Sequence, residues 1–199
     1  MSKIKNFFVR SETIGNGSRG LCGYEAYLDD MEHSNHKGRT NKIISIVGNN
    51  NNFLDNVVNE ANQLQLQRDK AGKGGRPISS LAQSFVFAMP SDFVGEPSKE
   101  QFKAMSKDML NVIADKMGLQ IKDLKNHIKI NVHMNESNPH INILVGRIVN
   151  GVNYQQQLTR PSTTNALKRE SALTVKRHLG LNIGDYKPIV PPGTTKGAR

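Results

Sequence analysis

Between Val132 and Asn142 the chain reads Val-His-Met-Asn-Glu-Ser-Asn-Pro-His-Ile-Asn, and four of these side chains could do chemistry on a phosphate. In a β-strand, side chains two apart share a face, so His140 and Asn142 look one way while Ile141 enters the apolar side. With His133 closing the preceding strand on that same face, two imidazoles and a carboxamide oxygen converge. His133, His140 and Asn142 are then candidate ligands of a divalent metal, with coordination positions left open for a substrate phosphate. Glu136, on the connecting loop, can reach inward as a fourth ligand or as a base. Nitrogen and oxygen donors without a thiolate favour Mn2+ or Mg2+ over structural zinc. On spacing alone, a pair of surface histidines flanking a turn would look the same.

The elements that must position these residues follow from hydrophobic periodicity. His127 to Met134 alternates Ile128, Ile130 and Val132 against His127, Lys129, Asn131 and His133, which is a half-buried strand. A tight connection from Asn135 to Pro139 leads to a second strand, from His140 to about Val149, and the two predict an antiparallel hairpin. Upstream, Ile4 to Arg10, Lys42 to Val47 and Ser84 to Met89 read as strands. Leu21 to about His33 has a helical period that carries Tyr24 and Tyr27. Phe53 to Lys70 is a second helix. A third opens on a Ser98/Gln101 capping box, shows a stripe from Phe102 through Met105, Met109, Val112 and Ile113, and stops at Gly118. Asn165 to Leu179 makes a last, basic helix ended by Gly180.

Composition narrows the partners. The 199 residues carry 27 Lys+Arg against 17 Asp+Glu, a net charge of +10, with a pI near 9.8. That surplus suits a polyanion, nucleic acid first. A mean hydropathy of −0.52, without an apolar run near the roughly 18 to 20 residues of a membrane span, excludes membrane insertion. The first ten residues lack the features of a secretory signal, which places the chain in the cytoplasm. One cysteine, Cys22, excludes an intrachain disulfide and a multi-cysteine zinc site. Between Arg160 and Arg199 stand eight basic residues against Glu170 and Asp185. Lys168, Arg169, Lys176 and Arg177 share a side of the last helix and could contact phosphates, as a solvated face also would.

The histidine segment resembles the His-hydrophobe-Asp-Glu-x-x-Pro-His-hydrophobe-His signature of plasmid mobilisation relaxases, the MobV and MobQ branches of the HUH endonuclease superfamily. His133, Glu136, Pro139 and His140 match it, and Met134 and Ile141 fill the hydrophobic positions. Asn135 stands where Asp is usual, and Asn142 replaces the last metal histidine, a change also found in some colicin-plasmid relaxases. An amide oxygen is a weaker donor than imidazole, so the change bears on metal affinity. Phe85 to Pro90 and the helix after it resemble the strand-Pro-helix unit of MobQ proteins.

The resemblance implies metal-dependent, site-specific nicking and rejoining of single-stranded DNA at a plasmid transfer origin. A tyrosine hydroxyl attacks a phosphodiester in line and leaves a 5′-phosphotyrosine, with accessory mobilisation or coupling proteins as further partners. The relaxase tyrosine pattern sits best on Ala26-Tyr27-Leu28, which makes Tyr27 the expected nucleophile and Tyr24 the second candidate. Some relaxases of this branch use an N-terminal histidine, for which His33 or His36 could stand in. Arg10, Arg19 and Arg39 are candidate DNA contacts near the nick, and Lys129 could neutralise a phosphate there. The expected architecture is an α/β (α+β) sandwich: a central, mainly antiparallel sheet carrying the hairpin, with helices on its faces. Residues 1–182 form the nuclease domain and 183–199 a Pro/Gly-rich basic tail or linker. The rival readings are a rolling-circle replication initiator, a non-catalytic basic DNA-binding protein that kept the fold and, more remotely, a zinc hydrolase.

Overall fold

A computed structural model describes residues 7–38, 40–48, 52–73, 75–135 and 138–187. Its elements are β1 (Phe8–Ile14), α1 (Gly17–Asp29), β2 (Thr40–Val47), α2 (Asn52–Lys70), β3 (Ala82–Ala88), α3 (Ser91–Val94), α4 (Lys99–Met117), β4 (Ile128–Asn135), β5 (His140–Gly146), β6 (Ile148–Val149), β7 (Val152–Asn153), α5 (Gln155–Thr159) and α6 (Pro161–Leu179). Short 3-10 turns cover Ile121–Leu124 and Ile183–Asp185.

Five strands form one sheet in the order β1-β3-β5-β4-β2, and every neighbouring pair is antiparallel. The β4/β5 hairpin therefore lies inside the sheet, where its ladder is paired on both sides and its register is fixed. Alternation divides the side chains between two layers. Phe85 and Phe87 of β3, Ile130 and Val132 of β4, and Ile141, Ile143 and Val145 of β5 pack with Phe102, Met105, Met109 and Ile113 of α4 and Leu167 and Val175 of α6. On the other face, Ile14, Ala82 and Leu144 meet Leu21 and Leu28 of α1 and Phe53, Val57 and Ala61 of α2. This second core is smaller, because much of that face is polar: Lys129, Asn131, His133, His140 and Asn142.

The α4 capping box forms as the sequence predicts, with Ser98 accepting from the Gln101 amide and the Gln101 side chain accepting from the Ser98 amide. Other boundaries differ. The first strand is Phe8–Ile14, four residues later at each end than the expected Ile4–Arg10, and residues 1–6 lie outside the described residues. Gly20 and Gly23, residues that disfavour helix, lie inside α1. Burial of Leu21 and Leu28 outweighs the low helix propensity of the glycines, and at Gly20 a Cβ would stand 2.0 Å from the Gly15 carbonyl oxygen, so only glycine fits. The second hairpin strand ends at Gly146, short of Val149; β6 and β7 then form a separate two-residue ladder around Asn150 and Gly151, both at positive φ. Helix α6 begins at Pro161, four residues before expectation, with the proline in its first turn. Beyond the expected boundary at 182, Tyr186 meets Phe7 and Phe93 edge-on or tilted, with ring centroids 5.7 and 5.3 Å away. Residues 188–199 of the expected tail lie outside the described residues.

Candidate active site

Strand register sets the centre of the site. His133 faces His140 across the β4/β5 pair, and Asn131 faces Asn142. The two imidazole centroids are 5.0 Å apart. Helix α1 crosses above them, and the turns after Asp29 fold His33 and His36 back against it. The His36 ring lies 4.5 Å from that of His133 and stacks at 4.5 Å on Tyr27. Tyr27 also meets His33 edge-on at 4.8 Å and stands 6.3 Å from His133. The expected nucleophile and the hairpin histidines thus share one cluster, joined by a histidine that the hairpin motif does not include.

Hydrogen bonding fixes how these rings present their nitrogens. His133 Nε2 donates to the Leu28 carbonyl at 2.9 Å, His36 Nδ1 to the Asp30 carbonyl at 2.6 Å and His140 Nδ1 to the Asn138 carbonyl at 3.0 Å. In the neutral form each then carries its lone pair on the other nitrogen. His133 Nδ1 and His36 Nε2 are buried without a partner among the described residues. His33 differs, since its Nδ1 accepts from the Asn35 amide. Burial, followed by the neighbouring His140, holds the His133 imidazolium down to about 4, so this ring is neutral at physiological pH. Burial lowers His140 in the same direction.

A backbone carbonyl on one ring nitrogen with the other left bare is how metal-ligating histidines are oriented. The residues therefore suit a divalent ion in donor type and tautomer. Among the described residues, however, no three His, Cys, Asp or Glu side chains are gathered tightly enough to hold one. Asn142, the expected third ligand, is buried, with its Nδ2 unpartnered among the described residues. Glu136 lies outside the described residues.

The two tyrosines have different surroundings. Tyr24 pairs its hydroxyl with Ser84 Oγ at 2.7 Å, and burial raises its phenol. Tyr27 is also raised by burial, but the Arg10 guanidinium pulls it back, and its hydroxyl has no hydrogen-bond partner among the described residues. Both line an open groove of about 1110 Å³ with Phe8, Arg10, His140 and Asn142. Phe8, 47% exposed, stands on the same face of β1 as Arg10, a position the sequence reading did not single out.

The expected DNA contacts divide. Arg10 lines the groove and pairs with Glu12. Lys129, expected to neutralise a phosphate, is instead 4% exposed, and its ammonium donates to Asp29 at 2.6 Å and Glu25 at 3.1 Å. Its strand position was read correctly, but α1 covers that face and neutralises the charge. Asn131 completes the anchor, donating to the Leu28 carbonyl at 2.9 Å and to Asp29 at 2.6 Å. Arg19 is exposed between α1 and α2, beside Cys22 and Asp55, and does not line the tyrosine groove. Lys168, Arg169, Lys176 and Arg177 are exposed on α6, in the layer across the sheet from the histidines. Arg177 there is bound to Asp108 and Glu170. Arg39 lies outside the described residues.

Neither a protein-family model nor a curated protein sequence matches the chain. Solved structures do. The relaxase domain of MobM, of the MOBV class, bound to transfer-origin DNA of plasmid pMV158 and manganese, superposes with a TM-score of 0.58 at 14% identity over 86% of each chain. The same domain bound to a 26-nucleotide origin DNA gives 0.55 at 13% identity, over 92% of this chain and 95% of that one. The conjugative relaxase TrwC with origin DNA and copper is a looser match, with a TM-score of 0.42. The chain has the relaxase fold, as its hairpin motif predicts.

Proposed function

We propose that this protein nicks and rejoins single-stranded DNA at a plasmid transfer origin by transesterification through Tyr27. The observation that carries the reading is the convergence of Tyr27, His36, His133 and His140 in one cluster of rings, of which Tyr27 and His140 line an open groove of a relaxase fold. Tyr27 Oη attacks the phosphorus in line, the P–O3′ bond breaks, and the DNA 3′-oxygen leaves, taking a proton from solvent in the open groove to become a hydroxyl. The phenol proton passes to a bare imidazole nitrogen of the cluster or to Glu136, because burial keeps the phenol protonated at neutral pH. The Arg10 guanidinium favours the phenolate and offers a cation to the phosphate. A divalent ion held by His133 and His140, with Asn142 and Glu136 as oxygen donors, would add positive charge beside the nonbridging oxygens. Rejoining is the reverse reaction, since the phosphotyrosine conserves the ester. The reading places the chain in the cytoplasm, acting with mobilisation or coupling proteins. Among the described residues no helix is long and apolar enough to cross a membrane.

The test is mass spectrometry after incubation with manganese and an oligonucleotide from the protein's own transfer origin. Nucleotide mass is expected on the peptide carrying Tyr27, and it disappears in Tyr27→Phe and in excess chelator. DNA binding without an adduct in the wild type would establish the non-catalytic alternative, and an adduct on Tyr24 would overturn the choice of nucleophile.

A further inference from the structure

Where β1 meets the start of α6, a second groove of about 440 Å³ opens, lined by Ser11, Thr13, Gln83, Thr159, Thr164 and Lys168 among others, with no Asp or Glu in its wall among the described residues. Arg147 lies beneath it, 1% exposed. Its Nη2 donates to Gln83 Oε1 at 2.6 Å and to Thr13 Oγ1 at 2.7 Å, two groove-lining groups. Its Nε and Nη1 are buried without partners, and no carboxylate pairs with it among the described residues. A guanidinium in that state is costly, and the positive potential is directed at the groove floor. The network carries it to the surface: Gln83 Nε2 donates to Ser11 Oγ at 2.6 Å, which leaves the Ser11 hydroxyl proton for the groove. Helix α6 adds to the same field. Its first turn holds no acidic residue, no side chain caps it, and Lys168 stands two turns along.

We propose that this groove binds a phosphodiester group of the DNA strand whose nick site lies at Tyr27. The assignment rests on the nuclease reading for the identity of the DNA. The path is short: β1 is an edge strand, and Thr13 lines both grooves, so a strand leaving the tyrosine groove reaches the second by rounding β1. The contact reads no bases and serves to position the strand.

Two measurements on the whole chain test this. In amide NMR, inorganic phosphate is expected to shift Ser11, Thr164, Asn165 and Lys168, and Lys168→Glu abolishes the effect; unmoved signals there overturn the site. In fluorescence anisotropy, origin oligonucleotides lengthened on either side of the nick are expected to gain affinity once they reach this groove. Lys168→Glu removes about fivefold or more of that gain and lowers the salt slope by about one. Lys99→Glu, at the far end of the α4/α6 layer, does not. Phosphate shifts without a Lys168 effect on long oligonucleotides would mean that the groove serves free phosphate and would overturn the DNA assignment. Loss of the tyrosine adduct sinks the nuclease reading alone and leaves the phosphate titration to stand or fall separately.

Discussion

Lys129 shows how one buried residue can set the position of a reactive one. Its ammonium lies under α1 against Asp29 and Glu25, next to Asn131, and this anchor ties the last turns of the tyrosine helix to the middle of the sheet. Methionine at 129 would leave the two carboxylates facing an apolar surface. Removing one partner of a buried pair costs up to about 3–5 kcal/mol, and because Asp29 is half exposed the expected loss is nearer 2 kcal/mol. Urea unfolding measures it, and a variant as stable as wild type would refute the anchor. Loss of adduct yield should exceed the folded fraction lost, since a loosened α1 misplaces Tyr27. His127 supplies a second test at this scale. It is buried beside Glu60, with its Nε2 3.9 Å from the carboxylate, and neither ring nitrogen makes a hydrogen bond among the described residues. Burial, opposed by Glu60, lowers its pKa below the usual histidine value. The unfolded chain therefore takes up this proton first as pH falls, so the contribution to stability is complete above about 6.5 and declines toward the folded value. Part of the decline in stability below pH 6.5 should vanish in His127→Gln; an unchanged pH profile would exclude the residue as its source.

The elements were more legible than the contacts between them. The hairpin follows from alternation because Ile128, Ile130 and Val132 must all enter one core, and the structure pairs His133 with His140 as that register demands. Capping chemistry fixed the start of α4 for the same reason: its partners are local. Local pattern failed where distant residues decide. The glycines of α1 look like breakers until Leu21 and Leu28 are seen to be buried, and Lys129 looks like a DNA contact until α1 is placed over it. His36 was named only as a possible nucleophile; nothing in its spacing reveals that it lies between Tyr27 and His133. The α4/α6 clasp was invisible for the same reason. Asp108 accepts from Thr174 at 2.7 Å and faces His178 at 2.9 Å and Arg177, from an element more than sixty residues away. Burial raises the Asp108 carboxyl, but these three hydrogen bonds outweigh it and the net shift is downward. Its stabilisation is thus present above the unfolded value of about 3.8 and lost as pH falls through the lower folded one. Asp108→Asn should cost on the order of 1 kcal/mol by thermal or urea unfolding at neutral pH and nothing at low pH, where the wild-type carboxyl is already protonated.

At the scale of the whole molecule, a net charge of +10 explains attraction to DNA but not where the strand lies. The sheet separates the two functions that charge and shape can serve. Its α1 face carries the buried pair His36 and His133 and, lining one groove, His140, both tyrosines, Arg10 and the exposed ring of Phe8, whereas the α6 face carries the exposed basic residues of the C-terminal helix. Phe8 has the surroundings of a stacking platform: 47% exposed, on an edge strand, one alternation from Arg10. Stacking of a base on an aromatic ring contributes roughly 1–3 kcal/mol by alanine substitution, which is about 5- to 150-fold in affinity. Phe8→Ala should therefore weaken binding of a short single-stranded oligonucleotide by that factor without changing the slope of log affinity against log salt, because no phosphate contact is lost. Arg10→Gln should weaken binding and also lower the slope by about one, because a phosphate contact is lost. Fluorescence anisotropy across a salt series separates the two. If Phe8→Ala altered the slope, or left affinity unchanged, the ring would not be stacking on a base, and the strand would have to enter the groove from the His140 side.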